Sequence, residues 1–497
     1  MAFSRRDFLK LGGVTAVTLS TAACSTAGRQ LALREIPESL ETAVFTSPNL
    51  LWRLLNRAGY GPRPGDYQRA SEIGFAAYLE QQLNPEAIED TAVELMARNL
   101  TLYSMDIGQL LAQDETDAAR ELISVAVTRP LYSQKQLYES MVEFWSDHFN
   151  IYLRKTEMMP FLKIIDDRDH IRPHVLGKFR DLLGASVHSP AMLVYLDNVR
   201  NQKDAPNENY ARELMELHTL GVNGGYDQHD VQELARILTG WTVRRRGLRQ
   251  GAVFFDEAAH DFGEKQLLGQ TFPAGRGQEE IEAALDLLAA HPSTAVFIAA
   301  KLVRRFVVDE PPASLVEQVA RTFGETEGNI KATLRTLFLS DEFASAPPKL
   351  KRPFTFMISA LRALNTNLRP NRGNGSWLEW LGQPPLRWAT PDGYPDTADA
   401  WASNLLPRWN FALSLVHGQV PGANPAWNRL VEAGNVTDAA SGLDLLAGLL
   451  WGRPLPPETQ SLFTNYIGPG QLNDSKTQLR LKDAAALLIA SPAFQWT

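Results

Sequence analysis

The stretch from residue 207 to residue 243 constrains the fold of this chain more than any other part of the sequence. Apolar residues recur there at helical spacing in two segments, which are separated by a glycine-rich turn. A period of about 3.6 residues favours amphipathic helices over strands. Asn207 and Asp227 stand where N-terminal caps are expected, and Gly221 stands where a left-handed residue ends a helix. We therefore predict two helices joined by a turn.

Helical periodicity continues through most of the chain. Residues 252–255 and 266–268 flank His260 and predict a small β-hairpin. The sequence thus predicts a mostly α fold, a large multi-helix domain with a small β-hairpin. We divide the chain into a targeting segment (1–30), a helical core domain (40–345) and a C-terminal helical portion (346–497) that holds an aromatic, Gly/Pro-rich loop (365–400).

Composition excludes several functional classes. The 497-residue chain has a net charge of -8, which argues against nucleic acid as a partner because phosphate binding needs concentrated Lys and Arg. Its single cysteine, Cys24, leaves the body of the protein without a disulfide or a thiolate metal site. The sequence contains no Walker A loop, GxGxxG or GxSxG motif, so nucleotide cofactors are not expected. The sequence leaves any other cofactor or metal unidentified.

The N-terminus is typical of an exported protein. Arg5 and Arg6 precede Asp-Phe-Leu-Lys and a short apolar run, which resembles the signal read by the twin-arginine export machinery. The apolar run is too short to span a membrane. Thr21 to Cys24 resemble a lipoprotein cleavage site, and a lipid on Cys24 would attach the protein to a membrane; ordinary cleavage near Ala27 is the alternative. We expect a location in the periplasm, at the outer membrane as a lipoprotein, or outside the cell.

Several motifs occur in an order that resembles a known bacterial family. The longest are NENYARELMELHTLG, from Asn207, and GGYDQHDVQELARILTGWT, from Gly224. The others are LLNRAGYGPRPGDY (54–67), FWSDHFN (144–150), IRPHVLGKFRDLL (171–183), PAMLVYLDN (190–198), HDFGEKQLLG (260–269) and HPSTAVFIAAKLVRRFV (291–307). Over roughly residues 50–415 the chain resembles domain-of-unknown-function family 1800, a group of large bacterial proteins. The resemblance implies a shared fold and brings no settled activity.

The polar face of the first predicted helix is a candidate for chemistry. Glu208, Arg212 and Glu216 follow one another at intervals of four residues, with Asn209 and Glu213 beside them. Carboxylates with an arginine suit a metal site or an acid/base pair. The alternative is a solvent-exposed face with ion pairs four residues apart. These positions lie in the most characteristic motif of the family, so the resemblance gives the chemical interpretation more weight than the spacing alone does.

Histidines form a second set of candidates. His148 follows Asp147 among aromatic residues, and His260 precedes Asp261. Imidazole and carboxylate groups bind metals and transfer protons near neutral pH, but neither pair has the HExxH spacing of a zinc site. The alternatives are a core histidine bonded to a backbone carbonyl for His148 and a turn residue for His260. His218 lies on the apolar helix face and is expected to pack in the core.

Tryptophans supply candidates for substrate binding. Trp388 and Trp401 lie in or next to the aromatic loop, and Trp241 ends the stretch of residues 207–243. Indole rings stack on sugar rings, but they also pack into protein cores. Both interpretations stay open at the level of sequence.

Three hypotheses for function follow. The first is an exported hydrolase or lyase that acts on an envelope or extracellular polymer, such as a polysaccharide, by acid/base chemistry. It assigns catalysis to Glu208, Glu213, His148, His260 and Asp261, and substrate binding to Asn209, Arg212, Trp241, Trp388 and Trp401. It predicts that these side chains converge in one cleft near the aromatic loop. The second hypothesis is a non-catalytic envelope scaffold or partner-binding protein, and the third is a metal-dependent redox protein.

Overall fold

The computed structural model of the protein describes residues 26–33, 36–40, 45, 49–244, 247, 250–369, 374–469 and 474–497. The export-signal residues Arg5 and Arg6, and also Cys24, lie outside the described residues. All other candidate residues lie within them.

Helices make up most of the described chain, so the predicted mostly α fold is confirmed. Up to residue 345 the α-helices are 26–33, Leu50–Arg57, Asp66–Ile73, Phe75–Leu83, Thr91–Ala97, Ile107–Leu110, Glu115–Tyr132, Gln136–His148, Met159–Ile165, Phe179–Val187, Pro190–Tyr195, Asn209–Glu216, Gln228–Ile237, Glu279–Ala290, Pro292–Phe306, Ala313–Glu325, Ile330–Phe338 and Asp341–Ser345. The helices that follow are Pro353–Ala363, Asn374–Trp380, Leu405–Val416, Trp427–Ala433, Ala439–Trp451, Pro457–Ile467, Ser475–Ala490 and Pro492–Gln495.

The two helices predicted from residues 207–243 are present. The first begins two residues after Asn207, whose side chain accepts the N–H of Asn209 at 3.0 Å. Gly221 has the predicted left-handed conformation, with a φ of 80°, but it is not the helix cap: the helix ends at Glu216, and Leu217 is its C-cap. The apolar face of the first helix, including Tyr210 and Leu214, is buried.

Asp227 caps the second helix as predicted. Its carboxylate accepts the N–H groups of His229 at 2.8 Å and Asp230 at 3.1 Å, and Asp230 accepts the N–H of Asp227 in return. This reciprocal pair satisfies donors that a helix leaves unpaired at its N-terminus. The other oxygen of Asp230 accepts the N–H of Leu268 at 2.7 Å, which ties the helix to a following hairpin.

Three short antiparallel strand pairs accompany the helices in the described residues. They are Trp241–Val243 with Val253–Phe255, Lys265–Leu267 with Gln270–Phe272, and Asn367–Leu368 with Ala423–Asn424. The chain therefore has hairpins, but the expected pairing of residues 252–255 with 266–268 is wrong. Leu268 and Gly269 have positive φ values of 51° and 76°, so they close a two-residue turn that pairs residues 265–267 with those directly after them.

Two large hydrophobic cores hold the helices together. The first contains buried residues between Leu54 and Ala346. The second gathers buried residues between Phe354 and Phe494 and also takes in Tyr60 from the N-terminal part. Charged side chains from both parts meet in buried ion pairs where the cores adjoin.

One pair of helices has the apolar length of a membrane span, although no single helix in the described residues does. The pair is Glu279–Ala290 with Pro292–Phe306, and the two helices meet at a bend of 61°. Both helices contribute buried residues to the first core.

Candidate active site

A cleft of about 310 Å³ opens where three elements meet. Its walls are the end of the helix Gln136–His148, the helix Pro292–Phe306 and the segment 388–397 of the aromatic loop. Its ionisable lining residues are Asp147, His148, Lys301, Arg304, Asp392, Tyr394 and Asp396. We call this space the Lys301 cleft.

Lys301 is the unusual group of the cleft. Its ammonium forms no ion pair with any described residue, and Nζ lies 5.5 Å from the centroid of the Phe297 ring on the same helix. Burial lowers the pKa of Lys301 to about 8, although Asp396 and Asp147 act in the opposite direction. A lysine with this pKa is partly neutral near physiological pH, as a proton-transfer or nucleophilic role requires.

His148 contributes a neutral imidazole to the cleft wall. Its side chain is 1% exposed, and burial lowers its pKa well below the ordinary value, with Lys301 as the second cause. Nε2 lies 3.0 Å from the carbonyl oxygen of His218 and therefore carries the proton. Nδ1 is then an acceptor, and it has no hydrogen-bond partner among the described residues. His218 itself is buried in the core as expected, and burial lowers its pKa to about 3.

Three carboxylates and two guanidinium groups form a buried network at the base of the cleft. Arg305 contacts Glu143 at 2.8 Å and Asp396 at 2.9 Å. Arg352 contacts Asp147 at 2.8 Å and Asp396 at 3.3 Å, and it also pairs with Glu143. Because negative groups outnumber positive ones in this network, one carboxylate is a natural site for a proton.

The network separates the pKa values of its carboxylates. Burial raises the pKa of Asp147 to about 6, and repulsion from Glu143 acts in the same direction. Burial also acts to raise the pKa of Asp396, but Arg352 and Arg305 outweigh it and hold that pKa at about 2. Asp147 is therefore the carboxylate that exchanges a proton near neutral pH, and such separated pKa values are typical of acid/base sites.

The segment 388–397 reaches the cleft through a close backbone contact. Gly393 has a φ of 76°, and a Cβ atom at this position would lie 2.0 Å from the carbonyl oxygen of Asp147. Only glycine fits both conditions. Asn150 donates to the carbonyl oxygen of Trp388 at 3.0 Å, so the segment is fixed against the end of the neighbouring helix.

Asp392 is held by its own segment and lies near one predicted catalytic residue. Its carboxylate accepts Nε1 of Trp388 at 2.9 Å and the hydroxyl of Thr390 at 2.5 Å. Burial raises the pKa of Glu213, and Glu216 and Asp392 raise it further. Glu213 is thus the member of the polar helix face that comes within electrostatic reach of the cleft.

Other residues of that helix face make contacts outside the cleft. Glu208 pairs with Arg212 at 3.0 Å and accepts Nε2 of Gln228 at 2.7 Å. Asn209 donates to the carbonyl oxygen of Leu196 at 3.1 Å. The pair of Glu208 and Arg212 is the half-exposed ion pair that the alternative interpretation predicts.

His260 and Asp261 belong to a separate cluster beside the hairpins. His260 is buried, and its Nδ1 lies 2.8 Å from the carbonyl oxygen of Thr239. Asp261 pairs with Arg236 at 2.7 Å and accepts the N–H of Gly263 at 2.8 Å. These contacts fix the path of the chain between the two hairpins.

One of the three candidate tryptophans lines the cleft, namely Trp388. Trp241 is buried in the first core and donates to the carbonyl oxygen of Val187 at 3.0 Å. Trp401 is also buried and donates to the carbonyl oxygen of Pro395 at 2.9 Å, so it supports the segment 388–397 from behind.

The predicted catalytic residues therefore do not all converge. His148 lines the cleft and Glu213 lies near it, whereas Glu208, His260 and Asp261 lie elsewhere. Helical periodicity shows which residues share a face of one helix, but not which helices meet in the fold.

Sequence reasoning missed Lys301, Arg304 and Arg352. A signal for Lys301 was present, because it stands alone after a run of apolar residues in HPSTAVFIAAKLVRRFV, and a charge on a packed helix face is rare. Asp392 and Asp396 gave no comparable signal, because tertiary contacts set the path of their loop.

A larger cavity, about 1060 Å³, lies between the helices Glu115–Tyr132 and Leu405–Val416. Charged groups in its lining include Asp117 and Arg120, which are exposed and pair with each other. Such surface pairs carry little chemical information. The smaller Lys301 cleft is the better candidate because the pKa values of Asp147, His148 and Lys301 in its lining are shifted by burial.

A metal site finds no support in the part of the chain that the structure describes. No group of three or more His, Cys, Asp or Glu side chains there is placed to hold a metal ion. The pair His148 and His218 contributes two imidazoles only, with ring centroids 6.0 Å apart.

Comparison with protein families identifies the chain. A family described as "protein of unknown function (DUF1800)" matches residues 53–496. The chain belongs to the DUF1800 family. No curated protein and no solved structure shows significant similarity. All residues of the Lys301 cleft lie inside the part that matches DUF1800, and so does the second hydrophobic core from Phe354 to Phe494.

Proposed function

We propose that this DUF1800 protein is an exported hydrolase or lyase that acts on an envelope or extracellular polymer, such as a polysaccharide, by acid/base chemistry. The observation that carries the proposal is the position of Lys301. It is a cation without an ion-pair partner among the described residues, and it shares a cleft with Asp147 and with the neutral imidazole of His148. Burial of an unpaired charge opposes folding. A structural role does not require such a group, whereas ionisable groups with shifted pKa values in a cleft are typical of proton-transfer sites.

The pKa values assign the proton-transfer roles. Between a pH of about 6 and about 8, Asp147 is ionised and Lys301 is protonated. In this range Lys301 donates a proton to the leaving group and Asp147 accepts one. Trp388 supplies aromatic surface for a sugar ring in the same cleft.

Polymer degradation by the purified mature protein tests the proposal. Peptidoglycan, neutral glycans and uronic-acid polymers are each incubated with the enzyme; new reducing ends report hydrolysis, and ultraviolet absorbance of unsaturated products reports elimination. We expect Lys301→Met to lower the rate about 100-fold or more. The control Lys331→Met, at a surface lysine paired with Glu86, should leave the rate unchanged. Activity that survives Lys301→Met would refute this site, and no degradation of any polymer would refute the function.

Export is part of the same proposal and is supported by Arg5 and Arg6. We expect the double substitution Arg5→Lys and Arg6→Lys to retain the protein in the cytoplasm, as cell fractionation measures. Metabolic labelling with a fatty acid, compared between the wild type and Cys24→Ser, distinguishes a lipid anchor from simple cleavage. Unchanged export of the double variant would refute the twin-arginine route.

Partner binding in the cell envelope is a second candidate function, and an apolar helix face favours it. On the helix Leu405–Val416, the side chains of Leu406, Trp409 and Leu413 are 63%, 50% and 50% exposed. Exposed apolar groups on one helix are typical of an interaction surface. Under this alternative, Lys301→Met is silent and Trp409→Ser weakens retention of the protein in the envelope fraction.

A further inference from the structure

We infer that the amine of Lys301 bonds covalently, as an imine, to the carbonyl carbon of a 2-oxo acid, so that the cleft is a lyase site. This inference rests on the proposed function and narrows it from proton transfer to covalent catalysis. Two cations that line one cleft carry it, Lys301 and Arg304, because neither has a carboxylate partner among the described residues.

Lys301 meets the requirements of a lysine nucleophile. An amine inside an ion pair stays protonated, and its lone pair is blocked; Lys301 has no such pair and opens on the cleft. Lysine nucleophiles are activated by burial or by a neighbouring cation. Both conditions hold here: burial lowers the pKa of Lys301 against the opposing effect of Asp396, Asp147 and Asp392, and Arg304 acts in the same direction as burial.

Arg304 supplies the recognition of a carboxylate. Its Nε donates to the carbonyl oxygen of Asp309 at 3.2 Å, and no described residue accepts from its other guanidinium nitrogens, which leaves them for a ligand. Guanidinium and carboxylate groups form paired hydrogen bonds. Arg304 follows Lys301 by three residues on one helix, so their side chains are neighbours. A carboxylate on Arg304 therefore presents its adjacent carbonyl group to Lys301, which is the arrangement of a 2-oxo acid.

Asp147 moves the protons that imine formation needs. It first takes one proton from the ammonium of Lys301. The neutral nitrogen then bonds to the carbonyl carbon while the C=O π electrons move to oxygen. That oxygen leaves as water with two protons, one returned by Asp147 and one from the nitrogen. The product is a protonated imine, and no oxidant or reductant takes part.

The protonated imine then permits carbon–carbon cleavage in a 2-oxo acid with a hydroxyl group on C4. A base takes the proton of that hydroxyl, the C3–C4 bond breaks, and its electron pair moves through C3 to the imine nitrogen. An aldehyde leaves, C3 of the resulting enamine takes a proton, and water releases the shorter 2-oxo acid from Lys301. A cleft of about 310 Å³ suits a ligand the size of one sugar acid, such as a released unit or a chain end.

Reductive trapping of the purified mature protein tests the inference. The protein is incubated with pyruvate or glyoxylate and sodium borohydride, and the adduct is located by intact mass and peptide mapping. We expect one adduct per chain, on Lys301. Lys301→Arg keeps the charge but cannot form an imine, so the adduct is lost, whereas the control Lys331→Arg retains it. The uncharged carbonyl dihydroxyacetone should react about tenfold less, and Arg304→Gln should remove that preference.

Each outcome decides the inference. An adduct spread over several lysines, or retained in Lys301→Arg, overturns the inference. If a variant fails to fold, the position of the adduct in the peptide map of the wild type still tests the inference. Polymer degradation that depends on Lys301, without any trapped adduct, overturns the imine and leaves the acid/base function in place. An adduct on Lys301 without degradation of any polymer supports the imine and removes the polymer as substrate.

Discussion

Three lysines of this protein, two buried and one partly buried, show how the surroundings of an amine decide its chemistry. Lys163 is fully buried and pairs with Asp166. Lys351 is also buried, with Nζ 3.8 Å from the centroid of the Phe494 ring, and burial lowers its pKa to about 7. Lys301 has neither a carboxylate partner nor full enclosure, because it opens on a cleft. It is therefore the lysine of the three that can exchange protons with a ligand.

Lys301→Met should raise the free energy of unfolding near neutral pH. The folded-state pKa of about 8 lies below the ordinary 10.5, so the unfolded chain binds this proton more tightly. The cost of burying the charge grows as pH falls from 10.5 to about 8 and is complete below that. Linkage limits the gain in the variant to about 3 kcal/mol. Denaturant unfolding at several pH values measures it, and a variant less stable than the wild type at neutral pH would contradict the cost of burial.

The two titrating groups predict a bell-shaped pH profile for the polymer-degrading activity. The rate should rise as Asp147 loses its proton near a pH of about 6 and fall as Lys301 loses its proton near about 8. The measurement is kcat/KM across this range. Asp147→Asn should lower the rate and remove the acidic limb, and an acidic limb that persists in this variant would assign it to another group.

At the scale of elements, the segment 388–397 makes the site by crossing the end of the helix Gln136–His148. The crossing is possible because Gly393 has no side chain between its backbone and Asp147. Trp401, which donates to the segment at Pro395, holds it from the other side. A loop fixed in this way places Asp392 and Asp396 with the reproducibility that catalysis requires.

Gly393→Ala tests this contact, and Gly418→Ala is its matched control. Both glycines have positive φ, 76° and 69°, so both substitutions carry a backbone strain of about 1 kcal/mol. An added Cβ lies 2.0 Å from Asp147 at Gly393 but meets no atom within 4 Å at Gly418. We expect Gly393→Ala to lose about 2 kcal/mol more stability than the control. Thermal unfolding measures both, and equal losses would show that the contact adds nothing.

At the scale of the whole molecule, the charged network joins the two hydrophobic cores. Arg352 directly precedes the helix Pro353–Ala363 of the second core, and its partners Glu143 and Asp147 lie on the helix Gln136–His148. The base of the cleft is therefore also the joint between the cores, and its geometry depends on the docking of the second core.

Arg352→Met should destabilise the fold by about 3–5 kcal/mol, because it leaves buried carboxylates without their partner. Arg335→Met is the control at a surface pair with Glu80 and should cost less than about 1 kcal/mol. The difference between the stability losses of the two variants should become smaller in acid, because protonated carboxyl groups no longer need a cation. Chemical denaturation at neutral and acid pH measures the stability loss of each variant. Equal losses would show that the network does not stabilise the contact between the two cores.

The sequence alone determined the features that depend on neighbours within a few residues. It predicted the mostly α fold, the cap at Asp227, the left-handed Gly221 and the burial of His218, because helical periodicity, capping and turn conformation are local. The motifs of residues 54–307 were sufficient to suggest the DUF1800 family to which the chain belongs.

The tertiary structure decided the site. Arg352 and Asp147 are 205 residues apart, yet they form one ion pair at the base of the cleft. The same packing buries His260 away from it and leaves Lys301 open to it. The burial and the nearby charges that set a pKa come from elements distant in sequence, so local patterns identify candidate groups but not which of them meet.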